Sequence, residues 1–464
     1  MSSPGRRLRL AASVKGLGYH ASGWRLPGMP KVADFEVYRT MAAIAEQGLF
    51  DLVFIPDRQT AALHDRPAGA LGQASSATDL EPITVLSALA SLTSNIGLAG
   101  TMSTTLQEPY QIARQFASLD HISGGRAAWN VVTSTLDDEA RNFGLERLPA
   151  KAERYARAEE AVDVATGLWS GWDADAFVFD AATGRYFDPD RVRRLNHRGR
   201  YFRVDGPLNV PRTPTGRPVL IQAGASPAGL DLAARIADVV YTVQSTIGAA
   251  RDYYGAFKER VAAHGRDPAE ALVLPGILPI LGRTRAEAEA RYGRLQEAID
   301  PHLGLAHLGL FLGDLSGHDL DGPVPDLPET DRVPSRRQVW LRLAREHGLT
   351  IRQLYQRTAI ANGHLEAVGT AADVADVMEE WLATGAADGF NVMSALAPAS
   401  LAEFVREVVP ELQRRGLFRT AYESNTLRGN LGLPEPCGGT GESPFMASRG
   451  LCRGSESHEG PRPA

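Results

Sequence analysis

The chain is poor in cysteine: among 464 residues only Cys437 and Cys452 are cysteines, and both fall in a Gly/Ser/Pro-rich tail. The main body therefore has no thiol, which excludes a cysteine nucleophile or a cysteine-based zinc cluster there. No apolar run approaches the roughly 18 residues needed to cross a bilayer. The basic start, Met1 to Arg9, leads into Leu10 to Val14, which is too short for the apolar core of a secretory signal, so a cytoplasmic location is expected. An excess of one charge is also missing. Lys and Arg number 49 against 55 Asp and Glu, for a formal net charge of -6, and no basic stripe could track the phosphates of a nucleic acid. Nor is there a G-x-S-x-G, a P-loop, an H-E-x-x-H or a G-x-G-x-x-G opening a helix after the first strand, which sets aside the common hydrolase, kinase, zinc-protease and Rossmann readings.

What the chain does have is alternation. Leu8 to Val14 reads as a first strand, followed by a Gly-rich loop from Gly16 to Arg25. Phe35 to Gln47 carries helical apolar spacing stopped by Gly48, and Leu52 to Ile55 reads as a buried strand ending at Pro56-Asp57-Arg58. Further strands are expected at Ile96 to Gly100, after Gly124-Gly125, at Pro218 to Gly224, Asp238 to Thr242, Leu272 to Leu281 and Gly389 to Met393, with helical patterns between them. About eight strand-helix units predict a (β/α)8 TIM barrel in the α/β class. One such domain over residues 1–433 is expected, with insertions at about 170–212 and 300–364. The second insertion reads as aperiodic apart from a helix near Arg336 to Glu346, and it is the expected lid. Residues 434–464, rich in Pro, Gly, Ser and charge, are expected to be a disordered tail.

In such barrels ligands bind where strands end and βα loops begin. That points to Asp57, to Thr101 and its neighbours, to Asn130 and to Ser226. Ser226-Pro227 has two readings, an ordinary Ser N-cap with Pro at the first helical position, or a phosphate cup at a helix start. Asp57 is either a hydrogen-bond acceptor for a ligand or a loop carboxylate beside Arg58. Trp129 is expected in the barrel wall. His20, in the first loop, is the candidate acid/base. His302, His307 and His318 lack a paired carboxylate pattern, so no metal is expected, and Glu159 and Glu160 are read as a solvated helix face.

The run His121-Ile122-Ser123-Gly124-Gly125-Arg126-Ala127-Ala128-Trp129-Asn130-Val131-Val132-Thr133-Ser134 closely resembles the hallmark of the nitrilotriacetate monooxygenase component A family, a branch of the bacterial luciferase-like flavin monooxygenases. Supporting matches include Asn142-Phe143-Gly144, Glu153-Arg154-Tyr155, Gln222-Ala223-Gly224 and Asp388-Gly389-Phe390-Asn391. The resemblance covers roughly Leu8 to Leu433. It implies a luciferase-like TIM barrel that takes reduced FMN (FMNH2) from a separate NAD(P)H:flavin reductase, uses O2 and oxygenates a small organic, N- or S-containing substrate, as a homo-oligomer. By motif, the FMN contacts would be Asp57, Thr101, Tyr155 and Ser226, the last two near the phosphate. Lys151 stands where the family often has His. In the first loop the family's paired histidines are here Tyr19-His20, so the substrate is expected to differ. A deazaflavin (F420)-dependent oxidoreductase and a non-catalytic flavin-binding protein are the alternatives.

Overall fold

In the computed structural model, residues 6–61, 67–73, 75, 78–224, 226–327, 334–434 and 436 are described. The expected tail lies almost wholly outside them. Parallel strands β1 (Arg9–Ser13), β2 (Leu52–Ile55), β3 (Gly97–Ser103), β4 (Ala127–Val132), β5 (Val219–Gln222), β6 (Val239–Thr242), β7 (Leu272–Leu281) and β9 (Gly389–Met393) close into a ring. Each neighbours its successor, β9 lies between β7 and β1, and β6 pairs back to β7. The eight expected strands are these eight. A further strand, β8 (Leu365–Gly369), extends from the outer half of β7.

The helices around the ring follow the expected spacing: α1 (Phe35–Gln47), α2 (Pro82–Ala90), α3 (Pro109–Ser123), the short α4 (Asp137–Arg141), α5 (Lys151–Trp169), α6 (Pro227–Ile236), α7 (Ile247–Ala263) and α8 (Arg285–Glu297). α1 starts at Asp34, whose side chain accepts the Val37 N–H, and stops at Gly48. α3 ends at Gly124 with φ +69°, and Gly125 follows at φ +90°. A Cβ on Gly125 would meet the Thr215 methyl at 2.9 Å, so the turn into β4 needs both glycines.

Inside the ring, small residues face large ones. Ala11, Ala99 and Ala128 leave room for Phe54 and Tyr241, whose rings lie 4.7 Å apart. The N-terminal opening is filled by Leu427, Leu431 and Leu433, carried on and just after α14 (Leu427–Leu431). Around that end a carboxylate precedes each of three strands and accepts the N–H of a neighbouring strand's second residue: Asp51 from Leu10 at 2.7 Å, Asp238 from Leu220 at 2.8 Å and Asp388 from Val273 at 2.8 Å. Arg419, the pair Arg217 and Arg428, and Arg6 supply the matching cations.

The region from Asp300 to His364 is more regular than its sequence suggests. It holds α9 (Pro301–Leu312), α10 (Pro334–His347) and α11 (Ile351–Ala361). α9 is apolar nearly all round because it is covered on more than one side, so it lacks the amphipathic period that betrays a helix. With α8, β7 and the residues after β9, these helices build a second core that reaches Tyr19 and Leu26 of the first loop, above the C-terminal ends of the strands. α12 (Ala371–Ala383) and α13 (Ala399–Arg414) complete the ring. Residues 170–212 form two antiparallel hairpins. The second is tied to α5 by Glu160, which accepts the Tyr201 and Phe202 N–H groups and lies 2.9 Å from His197. Glu160 is thus a clamp rather than part of a solvated face. No helix of the described residues is long and apolar enough to cross a membrane.

Candidate active site

The site builds from the C-terminal ends of β1 to β6. β3 runs on to Ser103, so Thr101 is a strand residue facing the lumen rather than part of a loop. Buried, its hydroxyl donates to the Ile55 carbonyl at 3.0 Å and accepts from Asn130 Nδ2 at 2.9 Å. Among the described residues no partner reaches the buried Asn130 Oδ1, Asn391 Oδ1 or Tyr241 hydroxyl. Buried polar atoms left unpaired are costly unless a ligand or water completes them. Trp129, on the opposite face of β4, is fully buried with its Nε1 donating to Met102 O, so it belongs to the wall as expected.

Asp57 stands two residues beyond β2, half-buried. Burial, reinforced by the nearby charges of Glu81, Glu139 and Asp79 and opposed by the Arg58 N–H, pushes its carboxyl up to about 6. Its loop is held by two residues that sequence reading did not single out. Glu139, 6% exposed, accepts the Gln59 N–H at 3.2 Å through one oxygen and those of Thr135 and Leu136 at 3.3 Å through the other. Asn142 Nδ2 donates to Gln59 O at 2.8 Å. Together they fasten the loop after β2 to the loop after β4. Within the run Leu136-Asp137-Asp138-Glu139 nothing marks Glu139 as the inward acid, whereas Asn142 lies in a motif already noted.

At the exit of β5, Ser226 caps α6, accepting the Gly229 N–H at 3.3 Å, and its hydroxyl lies 3.5 Å from the Tyr155 hydroxyl. Both readings of Ser226 therefore meet at one place: it is the N-cap, and the cap faces a tyrosine across a small hollow. A Cβ on Gly229 would come within 2.8 Å of the Tyr155 hydroxyl and 2.9 Å of Gly224 Cα, so the hollow exists only because both positions are glycine. Tyr155 is on the second turn of α5, and Lys151 begins that helix one turn earlier, exposed, on the same side. Beside them Arg154 donates to the carbonyl of Ser134, itself at φ +53°, whose hydroxyl is 2.9 Å from that of Ser103. A helix N-terminus with a hydroxyl, a phenol and nearby cations is a set of donors for a phosphate.

His20 is placed apart from this group. It is 1% exposed, its Nδ1 accepts the Ser22 N–H at 3.1 Å, and Nε2 is 2.6 Å from the Leu295 carbonyl, so Nε2 carries the proton and donates. Burial lowers its pKa, and the ring is neutral with both nitrogens engaged. His307 lies in the second core against Trp340, with ring centroids 4.9 Å apart.

Comparison with known proteins gives the family. The model of the luciferase-like monooxygenase family matches residues 17–388. The chain is 46% identical over 429 residues to nitrilotriacetate monooxygenase component A of Aminobacter aminovorans, covering 90% of this chain and 95% of the relative. It is 44% identical over 442 residues to N-acetyl-S-(2-succino)cysteine monooxygenase of Bacillus subtilis (strain 168), covering 94% and 99%. Among solved structures, EDTA monooxygenase from Chelativorans sp. BNC1 superposes with a TM-score of 0.79 at 32% identity over 93% of this chain and 99% of that one. The chain belongs to the luciferase-like monooxygenase family, flavin-dependent oxidoreductases on a closed parallel barrel.

Proposed function

We propose that the protein is the oxygenase half of a two-component monooxygenase, taking FMNH2 from a separate flavin reductase and oxygenating a small organic, N- or S-containing substrate. The observation that carries this reading is the glycine-lined hollow at the start of α6, where the Ser226 and Tyr155 hydroxyls and the N-terminus of the helix converge as donors for a phosphate. Asp57, Thr101 and Asn130 lie on or just after β2, β3 and β4, the strands that lead round the ring to β5, an order that suits a ligand with a phosphate at one end and a polar heterocycle at the other. The names of relatives support the two-component part, since the nitrilotriacetate relative is named as one component of its monooxygenase and another relative as one of the subunits of pristinamycin IIA synthase.

In this reading Ser226, Tyr155 and the α6 N-terminus bind the phosphate, and Lys151 adds a long-range cation. Asp57, Thr101 and Asn130 face the flavin ring, with Asn130 Oδ1 gaining the partner it lacks. Bound FMNH2 supplies the two electrons by which O2 is split between the substrate and water. The chain's own task is to orient and to keep water out, and the second core over the strand ends serves that exclusion. His20 holds the first loop to α8 instead of exchanging a proton, because neither nitrogen is free.

Anaerobic titration with FMNH2 and with reduced F420 tests the reading. Tight FMNH2 binding, followed on adding O2 and a supplied reductase by substrate-dependent product in a screen of N- and S-containing compounds, is the expected result. Binding of F420 with none of FMNH2 would overturn it. Neighbours that use F420 share only the fold with this chain, at 15% identity and a TM-score of 0.55 for a secondary alcohol dehydrogenase.

A further inference from the structure

The exit of β1 carries a cation that the flavin reading leaves unused. In the ring of eight, β1 and β5 are four strands apart counted either way, so β1 opens directly opposite the phosphate hollow. Ala11 faces the lumen, and the period of two gives Ser13 and Lys15 the same side. The Ser13 hydroxyl lies 2.5 Å from the Tyr19 hydroxyl, which fixes the Tyr19 ring, and Lys15 Nζ sits over that ring, 5.3 Å from its centroid. Among the described residues no carboxylate stands within salt-bridge distance of Lys15 Nζ and no hydrogen bond reaches it. Asp79 acts on it from further away while its carboxylate accepts the Tyr38 hydroxyl at 3.3 Å, and Arg58 adds a second positive charge. The Tyr19 N–H donates to Ser394 O at 2.9 Å, so this loop runs along the chain leaving β9. There the Ser394 hydroxyl is buried with no partner.

A half-buried ammonium with no carboxylate within reach is half of an ion pair, and its missing half is an anion with free oxygens. We propose that Lys15, assisted by the Ser394 hydroxyl, receives a carboxylate of the substrate, and hence that the N- or S-containing substrate is an organic acid. This rests on the oxygenase reading, which puts the flavin phosphate at β5 and leaves the β1 side for the substrate. Two anionic poles then lie on opposite sides of one mouth, each with its own cation, and the flavin ring lies between them. Arg58 and Asp79 at the rim tune the field but are more exposed than Lys15.

The test uses the full-length protein with oxidised FMN bound, and calorimetric titration with succinate, tricarballylate and nitrilotriacetate alongside their methyl esters. At least one free acid should bind, more weakly at higher salt, while its ester does not. Lys15→Met should weaken that acid about tenfold or more, the usual scale of one charge-assisted hydrogen bond, and Lys15→Arg should restore most of it. Ser394→Ala should weaken it less. FMN affinity, measured separately by fluorescence quenching, should stay within about twofold in all three variants, since none contacts the phosphate hollow. Failure of every free acid to bind, equal binding of acid and ester, or unchanged acid binding in Lys15→Met would each overturn the assignment. If FMN does not bind while acid binding still depends on Lys15, the flavin reading falls and the anion site stands.

Discussion

At the scale of single residues, the site is defined by polar atoms whose needs the fold leaves unmet. Asp57 is the clearest case, because burial, with the charges of Glu81, Glu139 and Asp79 behind it, pushes its carboxyl up to about 6. A carboxylate that accepts from the flavin ring must be ionised, so FMN affinity should fall as the pH drops through about 6. FMN phosphate titrates in the same region, so the measurement is a difference: the Asp57→Asn profile subtracted from that of the native protein should leave a single step. In Glu139→Gln that step should move to lower pH, since one acid that disfavours ionised Asp57 has been neutralised, although the amide nitrogen cannot accept and one side of the clamp is lost. An unmoved step would mean that Glu139 acts on the loop only through its hydrogen bonds. Of these residues the sequence displays Asp57 plainly, at the end of an apolar strand. It hides Glu139, because an acid facing inward and one facing solvent look alike in a row of three.

At the scale of elements, strands and helices were readable wherever the physics that shapes them is local. Apolar runs of four to ten residues gave all eight barrel strands, while Gly48 marked a helix stop and Ser226-Pro227 a helix start. The misses have a common cause in tertiary burial. α9 is covered on several sides and so shows no apolar stripe, and β3 continues past its apolar part because Thr101 and Ser103 point into a polar lumen. The meeting of α5 with α6 is not legible in local pattern, since Tyr155 and Ser226 are 71 residues apart, and only the family resemblance set the two side by side. That meeting can be closed by one methyl group. Gly229→Ala places a Cβ where the Tyr155 hydroxyl and Gly224 Cα now approach, and alanine is itself a good helix former. The variant should lose FMN affinity by about tenfold or more, a change of roughly 1.4 kcal/mol, and unfold at a lower temperature, since Gly224 Cα is backbone and must shift to admit the methyl group. Intact FMN binding in a folded Gly229→Ala would remove the hollow from the phosphate site.

At the scale of the whole molecule, the two ends of the barrel divide the labour. The C-terminal end holds Asn130, Asn391 and Tyr241 with polar atoms left open, and the N-terminal end holds Asp51, Asp238 and Asp388, each ion-paired to arginine. Burial would raise Asp238, but Arg217 and Arg428 outweigh it and hold its carboxyl well below the ordinary range. Because the folded value lies below the unfolded one of about 3.9, this carboxylate contributes stability above that pH and loses it progressively as the pH falls further. Asp238→Asn would leave two buried guanidinium groups uncompensated, and urea unfolding at pH 7 should show a loss of about 3–5 kcal/mol. The difference between variant and native protein should shrink on acidification; a constant difference would mean that the charge is not the source. The leucines of α14, pressed into the same end, have a consequence for traffic. A vessel stoppered at its base has one doorway, so flavin, oxygen, substrate and product must share it. Whichever of flavin and substrate settles deeper has to arrive first and leave last. With the phosphate held at β5 and the substrate at the β1 side of the same opening, a high substrate concentration would bar the exchange of spent flavin, and turnover would slow through congestion at the door rather than through any change in the chemistry.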